Sequence, residues 1–192
     1  MHGPAPRLAG DTFVLTPLTP ADIPDLVKAC TETEAVSSLN VPQPYTRADA
    51  EAHVRSAQTG AGGYFWAIRE SDAAPLMGMV KLGFVVLPGS PTASAPTPLP
   101  GGESADIGGI YLLPAYRGRG VATRATRLVA QWAFERGFES LHWECLASNT
   151  SSIAVAQRLG FTFYREGISS SQYAHHQNKA ARWARMARGE LQ

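Results

Sequence analysis

Residues Ala105 to Arg127 read ADIGGIYLLPAYRGRGVATRATR, and the fold turns on how this stretch divides. Its first part is a strand, with Ile107, Ile110, Tyr111, Leu112 and Leu113 as the apolar body. Pro114 lacks an N–H and stops the ladder. After Arg117-Gly118-Arg119-Gly120, the residues Val121, Ala125, Leu128, Val129 and Trp132 share one face of a helix. A strand, a glycine turn and a helix start together leave N–H groups unpaired at the positive end of a helix dipole. That is an anion cradle, suited to phosphate or pyrophosphate. Glycines at 118 and 120 let the backbone close on a ligand with no Cβ in the way.

Two common cradles do not fit. A P-loop needs a Lys followed by Ser or Thr after its last glycine, and none stands here. A dinucleotide fingerprint wants a third glycine where this chain has Thr123; Glu139 lies near the expected acidic position, but the arginines are foreign to it.

Composition narrows the class. The chain has 192 residues, 44% hydrophobic and 17% charged, enough to bury one full core. With 17 basic and 16 acidic residues the net charge is +1, so no global field recruits nucleic acid or an anionic membrane. Cys30 and Cys145 are too few for a zinc site or a disulfide framework, and no metal is expected. No apolar run is long enough to span a bilayer, and MHGPAPRLAG has no signal-peptide core. A cytoplasmic setting is the expectation.

Outward from the central stretch, the pattern predicts a strand at 12–16 and a helix from Thr19 or Asp22 to about Cys30. A second helix runs from about Arg47 to Gln58, capped by Thr46 and Asp49. Strands at 64–70 and within 75–87 form a hairpin. Pro88–Glu103, rich in Pro and Gly, reads as a loop insertion. The helix from Val121 ends near Gly137, a strand covers 141–147, a short helix ends at Gly160, and a strand covers 161–167. Residues 179–188 fit either a strand or a helix. Residues 1–11 are expected to fray, 12–188 to form one domain, and 189–192 to be a tail. The order of elements is that of a mixed α/β sheet, not of a strictly alternating doubly wound domain.

Arg117, Gly120 and Ala122 resemble the acyl-CoA signature R/Q-x-x-G-x-G/A of the GNAT superfamily of N-acetyltransferases. Trp143 to Asn149, then Ser152 and Arg158-Leu-Gly-Phe161, resemble the second half of that pattern. The segments TFVLTPLTPADIPDL and PQPYTRADAEAHV look like the RimJ/RimL branch, which acetylates ribosomal-protein alanines. The resemblance covers about Thr12 to Arg188, apart from the insertion, and argues for a last strand over 179–188. It implies a splayed, mostly antiparallel sheet of about seven strands, with about four helices on both faces. The backbone of Ile110, Tyr111 and Leu112 would pair with the pantetheine arm of acetyl-CoA. Amides of Arg117, Gly118, Arg119, Gly120, Val121, Ala122 and Thr123 would hold the pyrophosphate, and Asn149 and Ser152 would touch the pantetheine from the other wall. Asn and Ser also begin many helices simply as caps.

The reaction implied is direct transfer of an acetyl group to a primary amine, which attacks only when neutral. An α-amine has pKa ~8 and a lysine ~10.4, a difference of ~3 kcal/mol, so a protein N-terminus is the leading acceptor. A small amine such as an aminoglycoside or polyamine follows, and a strongly acidic cleft would favour it. Another class of reading is a catalytically silent acyl-CoA-binding regulator. Glu144, five positions before Asn149, is the first choice of base by the resemblance, and Asp106 the second. Ala156 stands where many relatives carry a Tyr acid, leaving Ser152, Tyr164 and Tyr173 as substitutes. A backbone N–H near Leu112 would face the oxyanion. Cys145 reads as a buried, inert thiol, and His175-His176 as a solvated loop. The partners are therefore acetyl-CoA and an amine acceptor, with no membrane or nucleic acid; a homodimer is compatible with this.

Overall fold

The computed structural model describes residues 3–31, 38–60, 62–84, 104–171 and 173–192. The expected insertion at 88–103 lies outside them. Eight strands form one sheet: β1 (Leu8–Ala9), β2 (Val14–Pro17), β3 (Gly63–Arg69), β4 (Gly78–Phe84), β5 (Ser104–Leu112), β6 (Ser140–Leu146), β7 (Thr162–Ile168) and β8 (Ala180–Ala187). Four α-helices accompany them among the described residues: α1 (Ile23–Thr31), α2 (Arg47–Thr59), α3 (Val121–Glu135) and α4 (Thr150–Leu159). The strands lie in the order β1-β2-β3-β4-β5-β6-β8-β7. Every neighbouring pair is antiparallel except β5 and β6, which α3 connects as a crossover.

Alternation along the strands sorts the core into two layers. Trp66, Ile68, Val80, Leu82, Ile107, Leu141 and Trp143 face α3 and α4. Phe65, Ala67, Met79 and Tyr111 face α1 and α2, where Leu26, Ala50 and Val54 meet them. Asp22 and Arg69 form a buried ion pair between the start of α1 and β3, at 2% and 8% exposure. Arg69 also donates to Thr16 Oγ1 at 2.9 Å and to the Ala74 carbonyl at 3.0 Å, so this buried charge is fully engaged.

Two expectations change, and the last strand argued for by the resemblance is present. Residues 1–11 are not simply frayed: Leu8 and Ala9 pair with Leu15 and Val14, which supplies the eighth strand. Gly10 makes the tight return, with its N–H to the Phe13 carbonyl at 2.9 Å, and the Pro6 carbonyl accepts the Trp66 indole N–H at 2.7 Å. Residues 180–187 are a strand, since β6 offers seven partners in register. The tail is docked, with the Gln192 N–H on the Leu159 carbonyl at 3.1 Å.

Candidate active site

The pairing of β5 with β6 stops early. Ser104, Ala105 and Asp106 match Ser140, Leu141 and His142, and no pair follows. Beyond Asp106 the two strands part, and the edge of β5 from Ile107 to Leu112 has no strand beside it on that side. A bulge helps to aim this edge away. Met79 faces Tyr111 but Lys81 faces Gly108, so β5 carries an extra residue opposite Val80. Gly109 takes φ of +57° there, a conformation that side chains rarely adopt. The resulting slot opens into one cleft of about 1880 Å³.

The glycine turn stands at the mouth of the slot. Gly118 and Gly120 have φ of +73° and +70°, and a Cβ at either would project into open space. The Arg117 N–H is already bonded to the Pro114 carbonyl at 3.2 Å, and the Arg124 N–H to the Gly120 carbonyl at 3.1 Å. Between them, the amides from Gly118 to Thr123 meet no acceptor among the described residues. The Arg117 amide is thus engaged within the turn, and those of Gly118 to Thr123 are not. The Arg117 side chain closes the turn instead, donating from Nε to the Leu112 carbonyl at 2.9 Å and lying over the Tyr111 ring.

Asn149 and Ser152 form the facing wall. Asn149 caps α4, its Oδ1 accepting the Ser152 N–H at 3.0 Å, and both residues line the cleft. The Ser152 hydroxyl accepts the Trp143 indole N–H at 3.1 Å and also hydrogen-bonds the Cys145 thiol. Tyr173 lines the cleft, whereas Tyr164 is 54% exposed on β7 and is not among the cleft residues. Ala156, on the inner face of α4, is fully buried.

Two carboxylates meet at the fork, on the face that carries α1 and α2. Asp106 is the last paired residue of β5, half-buried, and burial pushes its carboxyl up to about 6. The Lys81 charge opposes this and the Glu144 charge adds to it. Glu144, on β6, is clamped by the turn after β7. Its Oε1 accepts from the Ser170 N–H at 2.8 Å and from Ser169 Oγ at 3.2 Å, and Oε2 accepts from Ser170 Oγ. Oε1 is thereby saturated, and Oε2 keeps one free acceptor position.

The expectation of a solvated His175-His176 loop is overturned. His176 is buried at 4% exposure and lines the cleft, and His175 Nε2 sits 2.9 Å from the Leu39 carbonyl. The turn folds over the 38–41 segment, where Ser171 Oγ also donates to Asn40 Oδ1 at 2.5 Å. Burial raises the Cys145 thiol, which keeps it protonated and inert.

A family model for the GNAT acetyltransferase domain matches residues 12–162, which include the slot, the cradle and both carboxylates. The chain belongs to the GNAT family. GNAT proteins of this kind are acyltransferases, and GNAT acetyltransferases use acetyl-CoA. An uncharacterized N-acetyltransferase of Escherichia coli, YjgM, is 26% identical over 158 residues, spanning 81% of this chain and 85% of that protein. A GCN5-related N-acetyltransferase from Brucella melitensis shares the fold with a TM-score of 0.73, at 24% identity over 96% of this chain and 82% of its own. RimL, a ribosomal α-N-protein acetyltransferase solved with coenzyme A, shares it with a TM-score of 0.71, at 16% identity over 94% and 96%.

Within this GNAT domain the sequence reading missed several cleft residues. His53 on α2, Lys81 on β4 and Tyr45 before α2 all face the cleft beside Asp106. Ser169 and Ser170 hold Glu144 from the β7–β8 turn. Alternation puts Lys81 on the face away from Val80 and Leu82, and the packing of α2 reveals what it faces.

Proposed function

We propose that this chain transfers the acetyl group of acetyl-CoA to a primary α-amine, with a peptide N-terminus as the acceptor. The observation that carries the reading is the fork itself: a strand edge without a partner, free amides at its mouth and two carboxylates at its apex. The cradle fits a diphosphate because its amides are unclaimed and both positive-φ glycines leave the ligand side open. Ile110, Tyr111 and Leu112 would receive the pantetheine as an added strand, with Asn149 and Ser152 opposite. When bound, acetyl-CoA supplies the thioester carbonyl that the amine attacks.

The chain's own residues prepare that amine. The free acceptor position on Glu144 Oε2 draws the ammonium form to the fork, because the serine clamp fixes where that oxygen points. Asp106 takes the proton. A base works best when its pKa lies near the operating pH, and burial has moved Asp106 to about 6. The sequence ranked these two carboxylates the other way round; this reading takes the clamped Glu144 as the ammonium's partner and Asp106 as the base. Ser152, held by Trp143 and beside the Cys145 thiol, would turn its hydroxyl from that thiol to the departing sulfur.

The test is acetyl-CoA consumption with a pool of amines, reading each acceptor by its mass shift. Acetylated α-amines are the expected result. CoA binding with no transfer to any amine would favour a silent acyl-CoA-binding protein.

A further inference from the structure

Two further polar groups line the cleft and have no assigned part in binding the acceptor. Lys81 extends from β4 over the Phe65 ring, its Nζ 5.2 Å from the centroid. No carboxylate stands within ion-pair distance of it among the described residues. His53, from α2, meets the same Phe65 ring edge to face at 4.9 Å. Its Nε2 is buried and has no hydrogen-bond partner among the described residues. Both residues line the cleft, and Lys81 is paired in register with Gly108, two positions from Asp106.

Lys81 feels the Asp106 charge but has no carboxylate within ion-pair distance, and the buried His53 Nε2 has no partner among the described residues; both flank one aromatic ring. Buried polar groups are ordinarily paired, so this arrangement points to a ligand. Burial and the Lys81 charge push His53 down to about 4, so at neutral pH it is an uncharged ring able to donate from Nε2. An ammonium and an N–H donor against the same aromatic ring suit an anion. A cationic acceptor such as a polyamine would meet Lys81 as a like charge.

We infer that Lys81 and His53 form an anion subsite in the acceptor half of the cleft, and that the natural acceptor carries a carboxylate close to the amine it offers to Asp106 and Glu144. The acceptor is thus a zwitterion, read at one end by carboxylates and at the other by Lys81 and His53. Two sources supply this chemistry: a free α-amino acid, or a peptide whose first residue has an acidic side chain. The inference rests on the acetyl-transfer reading only for which end of the acceptor is the amine.

The experiment measures binding by calorimetry to the CoA-saturated chain, with acetyl-CoA turnover followed in parallel. Two matched pairs are the probes: alanine against alaninamide, and aspartyl-alaninamide against asparaginyl-alaninamide. The carboxylate member of at least one pair is expected to bind at least about tenfold tighter. An advantage in the first pair identifies a free amino acid, and in the second an acidic peptide N-terminus. Lys81→Met is expected to erase the advantage while CoA affinity stays the same. The wild-type contrast, and its shrinkage as salt rises, stands even if that variant does not fold. Equal binding within both pairs overturns the inference, as does undetectable binding of both carboxylate probes. An advantage that survives in Lys81→Met overturns it too. A carboxylate advantage without any turnover leaves the subsite standing and sinks acetyl transfer alone; turnover with no preference within either pair does the reverse.

Discussion

Asp106 is where function and stability pull in opposite directions. Its carboxyl titrates near 6 in the folded chain against an ordinary 3.8, so the folded state holds the proton longer than the unfolded one. Below about pH 4 both states are protonated and Asp106 has no effect on stability. Stability then falls as pH rises from 4 to 6, and above 6 the whole cost is present, about 3 kcal/mol at 1.36 kcal/mol per pH unit. Asp106→Asn should therefore stabilise the protein at pH 7.5 and leave it little changed at pH 4, as urea unfolding at the two values would show. The same variant should cut kcat/KM by about 10²- to 10⁴-fold. In the wild type, kcat/KM should rise with pH through about 6 as Asp106 ionises and fall again near ~8 as the free α-amine loses the proton that Glu144 recognises. The variant should lose the rise near 6, and a profile identical to the wild type would remove Asp106 as the base. Glu144→Gln has a different signature. It should raise the acceptor KM and lower transfer, because the amide offers the ammonium a weaker acceptor, while CoA affinity stays within about twofold. A fall in CoA affinity instead would place Glu144 in the cofactor wall.

At the scale of elements, the turn between β5 and α3 is set by two glycines in the left-handed region. Gly120→Glu would force a side chain into a conformation it resists and place a negative charge where the free amides point. Calorimetry should show acetyl-CoA affinity falling by at least about a hundredfold, with the far-UV spectrum of the folded chain retained. Unchanged affinity would move the diphosphate elsewhere. This turn was legible from the sequence because Pro114, the glycines and the apolar spacing from Val121 each mark a boundary by themselves. The Thr46–Asp49 capping box was legible for the same reason and is present, with the Thr46 N–H on Asp49 Oδ2 at 2.8 Å. Features that depend on a distant partner were not legible. The β1 strand needs Leu15 and Val14 opposite it, and the burial of His176 needs the 38–41 segment above it. The bulge at Gly109 had a local hint, the Gly108-Gly109 pair inside a strand, but its use in opening the slot is a property of β4 and β6. Lys81 and His53 lie far apart in the chain and meet only across Phe65.

On the scale of the whole molecule, the sheet is two blades joined by a short seam. β1 to β5 form one blade and β6, β8 and β7 the other, and the seam is the three-residue match at Ser104, Ala105 and Asp106. Trp143 and Ile107, on opposite sides of the seam, both pack into the layer beneath α3 and α4. That face is therefore continuous, while the α1–α2 face and the open end of the slot are where a ligand enters. A cofactor lying along the edge of β5 would act as a ninth strand, supplying acceptors to N–H groups that now have no strand beside them. Hydrogen exchange should accordingly slow for the 107–112 segment when CoA is added, and much less for β2 or β7, whose pairing does not change. Binding to the folded state alone also raises stability. At a hundred times Kd the gain is about 2.7 kcal/mol, which for a chain of this size lifts Tm by about 5–10 °C. In Gly120→Glu both responses should vanish together, since the anchor at the mouth and the added strand in the slot belong to one ligand. If exchange slowed in the turn but not along 107–112, the diphosphate would be bound while the pantetheine lay outside the slot. The fork would then not be where the thioester meets the amine.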